Sequence, residues 1–177
     1  MYNCITRGIE TELVHACRRY GLDIVVYNPL AGGLLTGRIK SADDIPTEGR
    51  FSDTSGRIGA MYRQRYFRDN TFKALHTIEE AVKKHGLTMT ETALRWLVHH
   101  SVLNIKDGND GILIGASSLK QLESNLNDFE KGPLPEEVVE ATDRAWALVQ
   151  SEAVPYWHKE IKYGYDTKEV LFSAGSK

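Results

Sequence analysis

The sequence predicts an α/β fold built on parallel strands, with part of the strand set missing. Two short continuous apolar runs, Ile24–Tyr27 and Gly111–Gly115, have the character of strands buried on both faces of a parallel sheet. A helical pattern precedes the first run and further helical patterns separate and follow the two, the alternation expected of a β/α architecture. Two such strands cannot satisfy their own edges, because each parallel strand needs neighbours on either side. Either another chain supplies the missing strands or the sequence is a piece of a larger barrel or sheet. Length points the same way: 177 residues suit one ordinary domain but fall short of the ~250 that a complete (β/α)8 barrel uses.

Taken in order, Ile9, Leu13, Cys17 and Tyr20 recur at helical spacing and Gly21 supplies a stop, so the pattern predicts a helix over 6–20 with Cys17 on its buried face. The strand Ile24–Tyr27 follows. From Asn28 to Arg68 no period holds, and the stretch is rich in Gly, Asp, Ser and Arg, although Ile58–Phe67 reads as a short helix. An irregular connection of that length is usually functional or disordered. Phe72, Leu75, Ile78 and Val82 mark one face of a helix over 69–85 that Gly86 ends. Thr88 and Glu91 fit a capping box that opens a helix running through His99. After the second strand, Leu119, Leu122, Leu126 and Phe129 mark a packing stripe. A break at Gly132-Pro133 then leads into a helix with Pro135 near its first turn, Glu136 and Glu137 at its positive end, and Val138, Val139, Thr142, Trp146 and Val149 along it. The extension 155–177 is aromatic and charged without periodicity.

Composition removes several functions. With 22 Lys+Arg against 24 Asp+Glu the formal charge is −2, which lacks the basic footprint of a nucleic-acid binder. No window of about 18 apolar residues offers a membrane span, and residues 1–10 have neither the basic nor the apolar region of a signal peptide, so the expected compartment is the cytoplasm. Cys4 and Cys17 form no C-x-x-C motif, and no metal is expected. His99-His100 closes a helix without metal-ligand spacing and reads as stabilising that helix's C-terminus.

Three segments carry candidate chemistry. The first is Asn28, Pro29, Leu30, Ala31, Gly32, Gly33, Leu34, Leu35, Thr36 and Gly37, which begins where the first strand ends. Ligands bind at the carboxyl ends of strands in α/β folds, and paired glycines reach φ > 0 and let N–H groups face phosphate oxygens. The alternative is a tight surface turn that needs glycine for geometry alone. The second follows the other strand: Ser117 or Ser118 can cap a helix whose N-terminus suits an anion, and Ser117, Gln121 and Asn125 recur at i, i+4, i+8, apart from the leucine stripe. Here the alternative is an ordinary capped amphipathic helix. The third is Arg57, Arg63, Arg65 and Arg68 with Tyr62 and Tyr66 interleaved and Arg50 upstream, which can bind an anion through guanidinium forks or simply form a solvated face. No G-x-S-x-G, H-E-x-x-H or P-loop pattern occurs.

These residues resemble a known family. Tyr2-Asn3, the run YNPLAGGLLTG from Tyr27 to Gly37, GRF at Gly49–Phe51, MYRQRY from Met61 to Tyr66, TALRWLVHHS from Thr92 to Ser101 and IGASSLKQLESNL from Ile114 to Leu126 are similar, in order, to the aldo-keto reductases of the aflatoxin-aldehyde-reductase-like branch. The motifs together span most of the chain, and residues 1–177 read as the C-terminal part of such an enzyme with 155–177 as a tail extension. The resemblance implies a partial TIM (β/α)8 barrel carrying the last two strands, the flap and the C-terminal helices, and an oxidoreductase reducing a small-molecule aldehyde or ketone with NADPH. It places Asn28 to Arg38 on the cofactor pyrophosphate with Arg50 assisting, and Ser117, Ser118, Gln121 and Asn125 on the adenosine 2′-phosphate and adenine. Tyr62 and Arg65 match substrate-contacting positions. The family's catalytic Tyr, Lys, Asp and His lie on earlier strands that this sequence lacks; Tyr2 is not a substitute, and His158 stands near the usual C-terminal arginine. The chain alone is therefore expected to be inactive, with a homodimer or pairing with a full-length reductase as its partner. The alternatives are a non-catalytic binding or dimerising module and an unrelated anion-binding α/β domain.

Overall fold

A computed structural model describes residues 1–157 and 164–172. Its regular elements are α1 (Leu13–Arg19), β1 (Val25–Tyr27), α2 (Gly56–Tyr66), α3 (Asp69–Lys84), α4 (Met89–His99), β2 (Gly111–Leu113), α5 (Leu119–Phe129), α6 (Glu136–Val149) and α7 (Thr167–Phe172), with 3-10 turns at Ala31–Thr36 and Asp53–Ser55. His158 lies outside the described residues, and the tail read as aperiodic contains the short α7.

β1 and β2 pair in parallel, Val25 opposite Gly111 and Tyr27 opposite Leu113. The expectation of burial on both faces is corrected. Ile24 and Val26 are buried, but Val25 and Leu113 are each 60% exposed and Tyr27 40%. The alternating pleat sends successive side chains to opposite faces, and among the described residues only one face of the pair is covered. Asp110 organises the entry to both strands. Its carboxylate accepts from the Ile24 and Asn104 N–H groups, each at 2.7 Å, and from the Arg18 guanidinium at the end of α1.

The first helix is also shorter than its pattern predicts: Thr6 forms a bridge with Asn3, residues 8–12 form turns and α1 covers two turns only. Local side-chain bonds compete successfully with the helix here. The Asn3 Oδ1 accepts from the Ile5 N–H at 3.1 Å, and Asn3 and Thr6 exchange backbone bonds. Arg7 then turns inward to an ion pair with Asp143 at 2.7 Å and stacks over Trp96 at 4.4 Å, drawing this segment onto α4 and α6. Ile9 stays buried, Val14 supplies the buried face of α1, and Cys17 is only half-buried while Tyr20 is exposed.

α3 and α6 form the firmest pair. Ala74, Leu75, Ile78, Ala81 and Val82 face Val138, Ala141, Thr142, Ala145 and Val149, and the alanines allow close approach of the two backbones. Complete burial of each large aliphatic side chain here contributes about 1.5–3 kcal/mol. Thr88 caps α4 by accepting from the Glu91 N–H at 3.1 Å; Glu91 itself turns to Arg95 and Lys131 instead of completing the capping box. His99 ends α4 and His100 follows as its C-cap, and both also reach the next connection: His99 Nε2 bonds the Lys131 carbonyl oxygen at 2.7 Å and His100 Nε2 accepts from the Leu134 N–H at 2.8 Å.

α5 departs most from its pattern. Leu119 and Leu126 are 70% and 49% exposed, whereas Asn125 and Asp128 are buried. The helix is rotated so that its polar row meets α4, where Lys131 neutralises both Asp128 and Glu91. Only Leu122 and Phe129 of the expected stripe are partly covered.

Candidate functional site

The parallel register sends the segments that follow β1 and β2 out of the same end of the strand pair, one strand spacing of about 4.8 Å apart. On the β1 side the chain enters a compact turn in which Asn28 (φ 69°), Ala31 (φ 51°), Gly32 (φ 72°), Gly33 (φ 106°) and Gly37 (φ 72°) all have left-handed backbone. Two of these are not glycine, and each such residue stores about 1 kcal/mol or more of strain. Much of the turn's polar backbone is used internally: the Ala31, Gly33, Leu35 and Gly37 N–H groups donate to carbonyls within the turn. Thr36 Oγ1 donates to the Gly33 carbonyl at 2.7 Å. Pro29, Ala31, Leu34 and Leu35 are buried, Leu30 partly so, and Arg38 is exposed.

The two adjacent glycines serve different needs. A Cβ on Gly32 would fall 2.5 Å from Tyr62 Cε1, so this position yields space to an aromatic ring; a Cβ on Gly33 would meet nothing within 4 Å. Gly33 is thus the glycine that faces open space.

Asn28 is bonded on both sides. Asn3 Nδ2 donates to its carbonyl at 3.0 Å, and its own Nδ2 donates to the Tyr66 hydroxyl at 2.9 Å. Tyr66 is buried between Phe51, Tyr62 and Thr6, and burial raises the pKa of its phenol. Sequence places Tyr66 only among the residues of the arginine-rich segment and assigns Asn3 no site role; the signal for both lies in the YN and MYRQRY runs.

Of the arginine-rich segment, only part is brought together. Arg50 donates to the Tyr62 hydroxyl at 3.4 Å with its guanidinium over the ring, and Arg65 lies over the Tyr62 ring at 5.3 Å. Tyr62 and Arg65 are mostly buried, and Arg50 is exposed. Arg63 is committed to Asp53 and the Phe51 carbonyl, and Arg68 to the Glu152 carbonyl beyond the end of α6, so both are taken up by structural contacts. Arg57 is exposed.

On the β2 side, Ser118 caps α5 by accepting from the Gln121 N–H at 3.2 Å, while the Ser117 N–H and hydroxyl both donate to Gln121 Oε1 at 2.9 and 2.8 Å. Ser117, Ser118, Lys120 and Gln121 are exposed, and the first turn of α5 has no carboxylate. Asn125 does not share this exposed face; it is 7% exposed and turned toward the interior.

The remaining reactive groups are structural. Tyr2 is fully buried, donates to Glu10 at 2.6 Å and packs on Trp96, and its burial and the Glu10 carboxylate hold the phenol protonated. Burial pushes the Cys4 thiol up to about 12. Both cysteines are free, and among the described residues no group of three or more His, Cys, Asp or Glu side chains is placed to hold a metal. No helix among them is long and apolar enough to cross a membrane.

Comparison with known proteins defines the class. Residues 1–147 match the model of the aldo/keto reductase family, and the chain belongs to that family. Among its relatives, it is 45% identical over 163 residues to aflatoxin B1 aldehyde reductase member 2 of Rattus norvegicus, covering 89% of this chain and 44% of that protein. It is 43% identical over 157 residues to an aldo-keto reductase of Pseudocercospora fijiensis, covering 88% and 52%. The chain thus spans about half the length of these curated relatives. Its α/β fold is similar to that of a glycerol dehydrogenase from Gluconobacter oxydans, with a TM-score of 0.58 at 21% identity over 93% of this chain and 44% of the other.

Proposed function

We propose that the chain is the cofactor-holding C-terminal part of an NADPH-dependent aldehyde or ketone reductase, a partial (β/α)8 barrel carrying its last two strands, flap and C-terminal helices. The observation that supports this best is the parallel register, which sets the glycine turn after β1 beside the serine-capped helix after β2. In (β/α)8 enzymes the site is built from the loops at that end.

The donor set fits an anionic dinucleotide. Hydroxyls, an amide and a lysine surround the N-terminus of α5, where the dipole favours a phosphate and no carboxylate opposes it. In this reading Ser117, Ser118 and Gln121 grip the adenosine 2′-phosphate, Asn125 lies deeper beside the adenine, and the turn from Asn28 to Arg38, with Arg50, holds the pyrophosphate. NADPH supplies the hydride when bound. Tyr62 and Arg65, both mostly buried, are the substrate-contacting residues in this reading.

In this reading the family's catalytic Tyr, Lys, Asp and His lie on strands before this sequence, and Tyr2, sealed in the core, does not replace the proton donor that the developing alkoxide needs. The purified chain should therefore bind NADPH in preference to NADH yet fail to oxidise it with 4-nitrobenzaldehyde. Fluorescence titration and a 340 nm assay test both points: failure to bind at millimolar NADPH overturns the cofactor reading, and turnover overturns the inactivity. A second reading, a binding or dimerising module that pairs with itself or with a full-length reductase in the cytoplasm, is favoured by the exposed Val25, Tyr27 and Leu113 face. It expects a stable oligomer in solution, and a cooperatively folded monomer would remove it.

A further inference from the structure

We propose that α2 is the splint of the 28–37 turn, gripping it at two points one helical turn apart, so that Tyr66 and Asn3 are positioning residues for that turn. The functional consequence rests on the reading of the turn as the cofactor loop; the conformational claim does not.

Asn28 must hold φ 69° and Ala31 φ 51°, backbone states that non-glycine residues leave when nothing restrains them. Two partners clamp Asn28, beside a longer contact from its amide to Met1 Sδ at 3.6 Å. Its side-chain amide donates to the Tyr66 hydroxyl at 2.9 Å and its carbonyl accepts from Asn3 Nδ2 at 3.0 Å. Neither partner is free to yield. Asn3 is fully buried and tied to Thr6 by reciprocal backbone bonds, and the Tyr66 ring is boxed in by Phe51 and Tyr62 at centroid distances of 6.2 and 6.3 Å.

The second grip is steric. The Tyr62 ring occupies the space where a side chain on residue 32 would stand, 2.5 Å from the position of its Cβ. Residues 62 and 66 lie on one face of α2, four positions apart, and they meet loop residues 32 and 28, also four apart. A rigid helix therefore sets both ends of the strained half of the turn. The intervening N–H groups of Ala31 and Gly33 are already donated within the turn. Its shape is thus dictated from behind by α2, and Gly33 is left facing outward. Because Tyr62 also meets the Arg50 and Arg65 guanidinium groups, a ligand pressing on that cluster bears on the turn through the same helix.

Amide hydrogen exchange on the intact, ligand-free chain tests the splint. Tyr66→Phe keeps the ring and deletes the bond to Asn28 together with the longer contact to Thr6 at 3.5 Å, so exchange at Ala31, Gly33 and Leu35 should quicken by about three- to tenfold while α3 and α6 amides are unchanged. Asn28→Ala should quicken it further. Asn28→Gly should exchange more slowly than Asn28→Ala, because glycine reaches φ 69° without strain, and adding Tyr66→Phe to Asn28→Ala should change nothing. Three results overturn the proposal: turn amides within twofold of the parent in Tyr66→Phe, an equal rise in α3 and α6, or identical exchange in Asn28→Ala and Asn28→Gly. The Asn28 pair decides the matter should Tyr66→Phe not fold. A parallel NADPH titration of the unmutated chain separates the two ideas: absence of binding refutes the cofactor reading and leaves the exchange result to decide the splint.

Discussion

Replacing Asp110 by asparagine tests how the two strands are held in register. The carboxylate is 1% exposed and accepts from four donors: the Ile24 and Asn104 N–H groups and both terminal nitrogens of Arg18. Burial alone would raise its pKa, but Arg18 and the two backbone donors more than offset that and hold it below the usual carboxylate range. Asparagine has the same shape but only one acceptor oxygen, so its NH₂ faces donors wherever it is turned. Hydrogen bonds to a charged group are worth about 1.5–3 kcal/mol each, and a buried donor left unpaired costs about 1–3 kcal/mol. Losing one backbone bond and stranding its N–H, with the charge on the Arg18 pair removed, sums to about 3–5 kcal/mol, in line with breaking other buried pairs. Arg18→Ala leaves both backbone donors satisfied but takes the counter-charge from a carboxylate that is 1% exposed, and because Arg18 is itself 37% exposed water can partly replace it, so the cost should be about 2 kcal/mol. Urea denaturation at pH 7 reads both as shifts in midpoint at constant slope. A loss under about 1 kcal/mol for Asp110→Asn, or equal losses for the two variants, would refute the reasoning. The sign with pH follows from the lowered pKa. The stabilisation is full above the unfolded value of 3.8 and is lost as pH falls through the folded value, so the variant should lose part of the parent's acid sensitivity.

Other expectations follow from single contacts. Gly32→Ala should destabilise by about 2–4 kcal/mol, because strain at φ 72° adds to a clash with Tyr62, whereas Gly33→Ala, strained but unobstructed, should cost about 1 kcal/mol; denaturant midpoints check the order. Gly59→Ala would set a Cβ 2.2 Å from the Ser52 carbonyl oxygen and should abolish the docking of α2, seen as loss of near-UV signal from its tyrosines. Burial lowers the pKa of His100, with His99 and Arg95 assisting, and its neutral Nε2 accepts from Leu134. Stability contributed there is complete above the unfolded value of 6.5 and declines as pH drops below it, so urea midpoints should fall between pH 7.5 and 5.5, less so in His100→Gln. Thr88→Ala removes the α4 cap and should cost about 1 kcal/mol by the same assay.

Residues whose neighbours lie nearby in sequence were legible without coordinates. The α3, α4 and α6 helices stand where periodicity, Gly86, Thr88 and Pro135 place them, since local spacing and capping act within a few residues. Both strands were evident as apolar runs, and the Ser118 cap and the glycine turn were evident from their residue types. The motifs also carried the family, which the match over residues 1–147 bears out.

Tertiary contacts decided the rest. The pattern over 6–20 is helical, yet Arg7 leaves it for Asp143, 136 positions away, and the helix begins only at Leu13. The leucine row of α5 is apolar by composition, yet Asp128 turns inward to Lys131, which also pairs with Glu91 of α4, and Asn125 on the same helix is buried as well. Of the arginines around α2, spacing alone could not tell Arg63, bound to the nearby Phe51 carbonyl, and Arg68, bound to the Glu152 carbonyl 84 positions away, from Arg50, which reaches Tyr62 from the surface. Nor could it show that Gly32 yields space to a tyrosine while Gly33 stays open. Sequence determines which residues can form a helix, cap it or bend left-handed, because those are properties of the chain within one turn. Which face is buried, and which polar group is free for chemistry, depends on partners brought together from distant segments, and only the folded arrangement decides that.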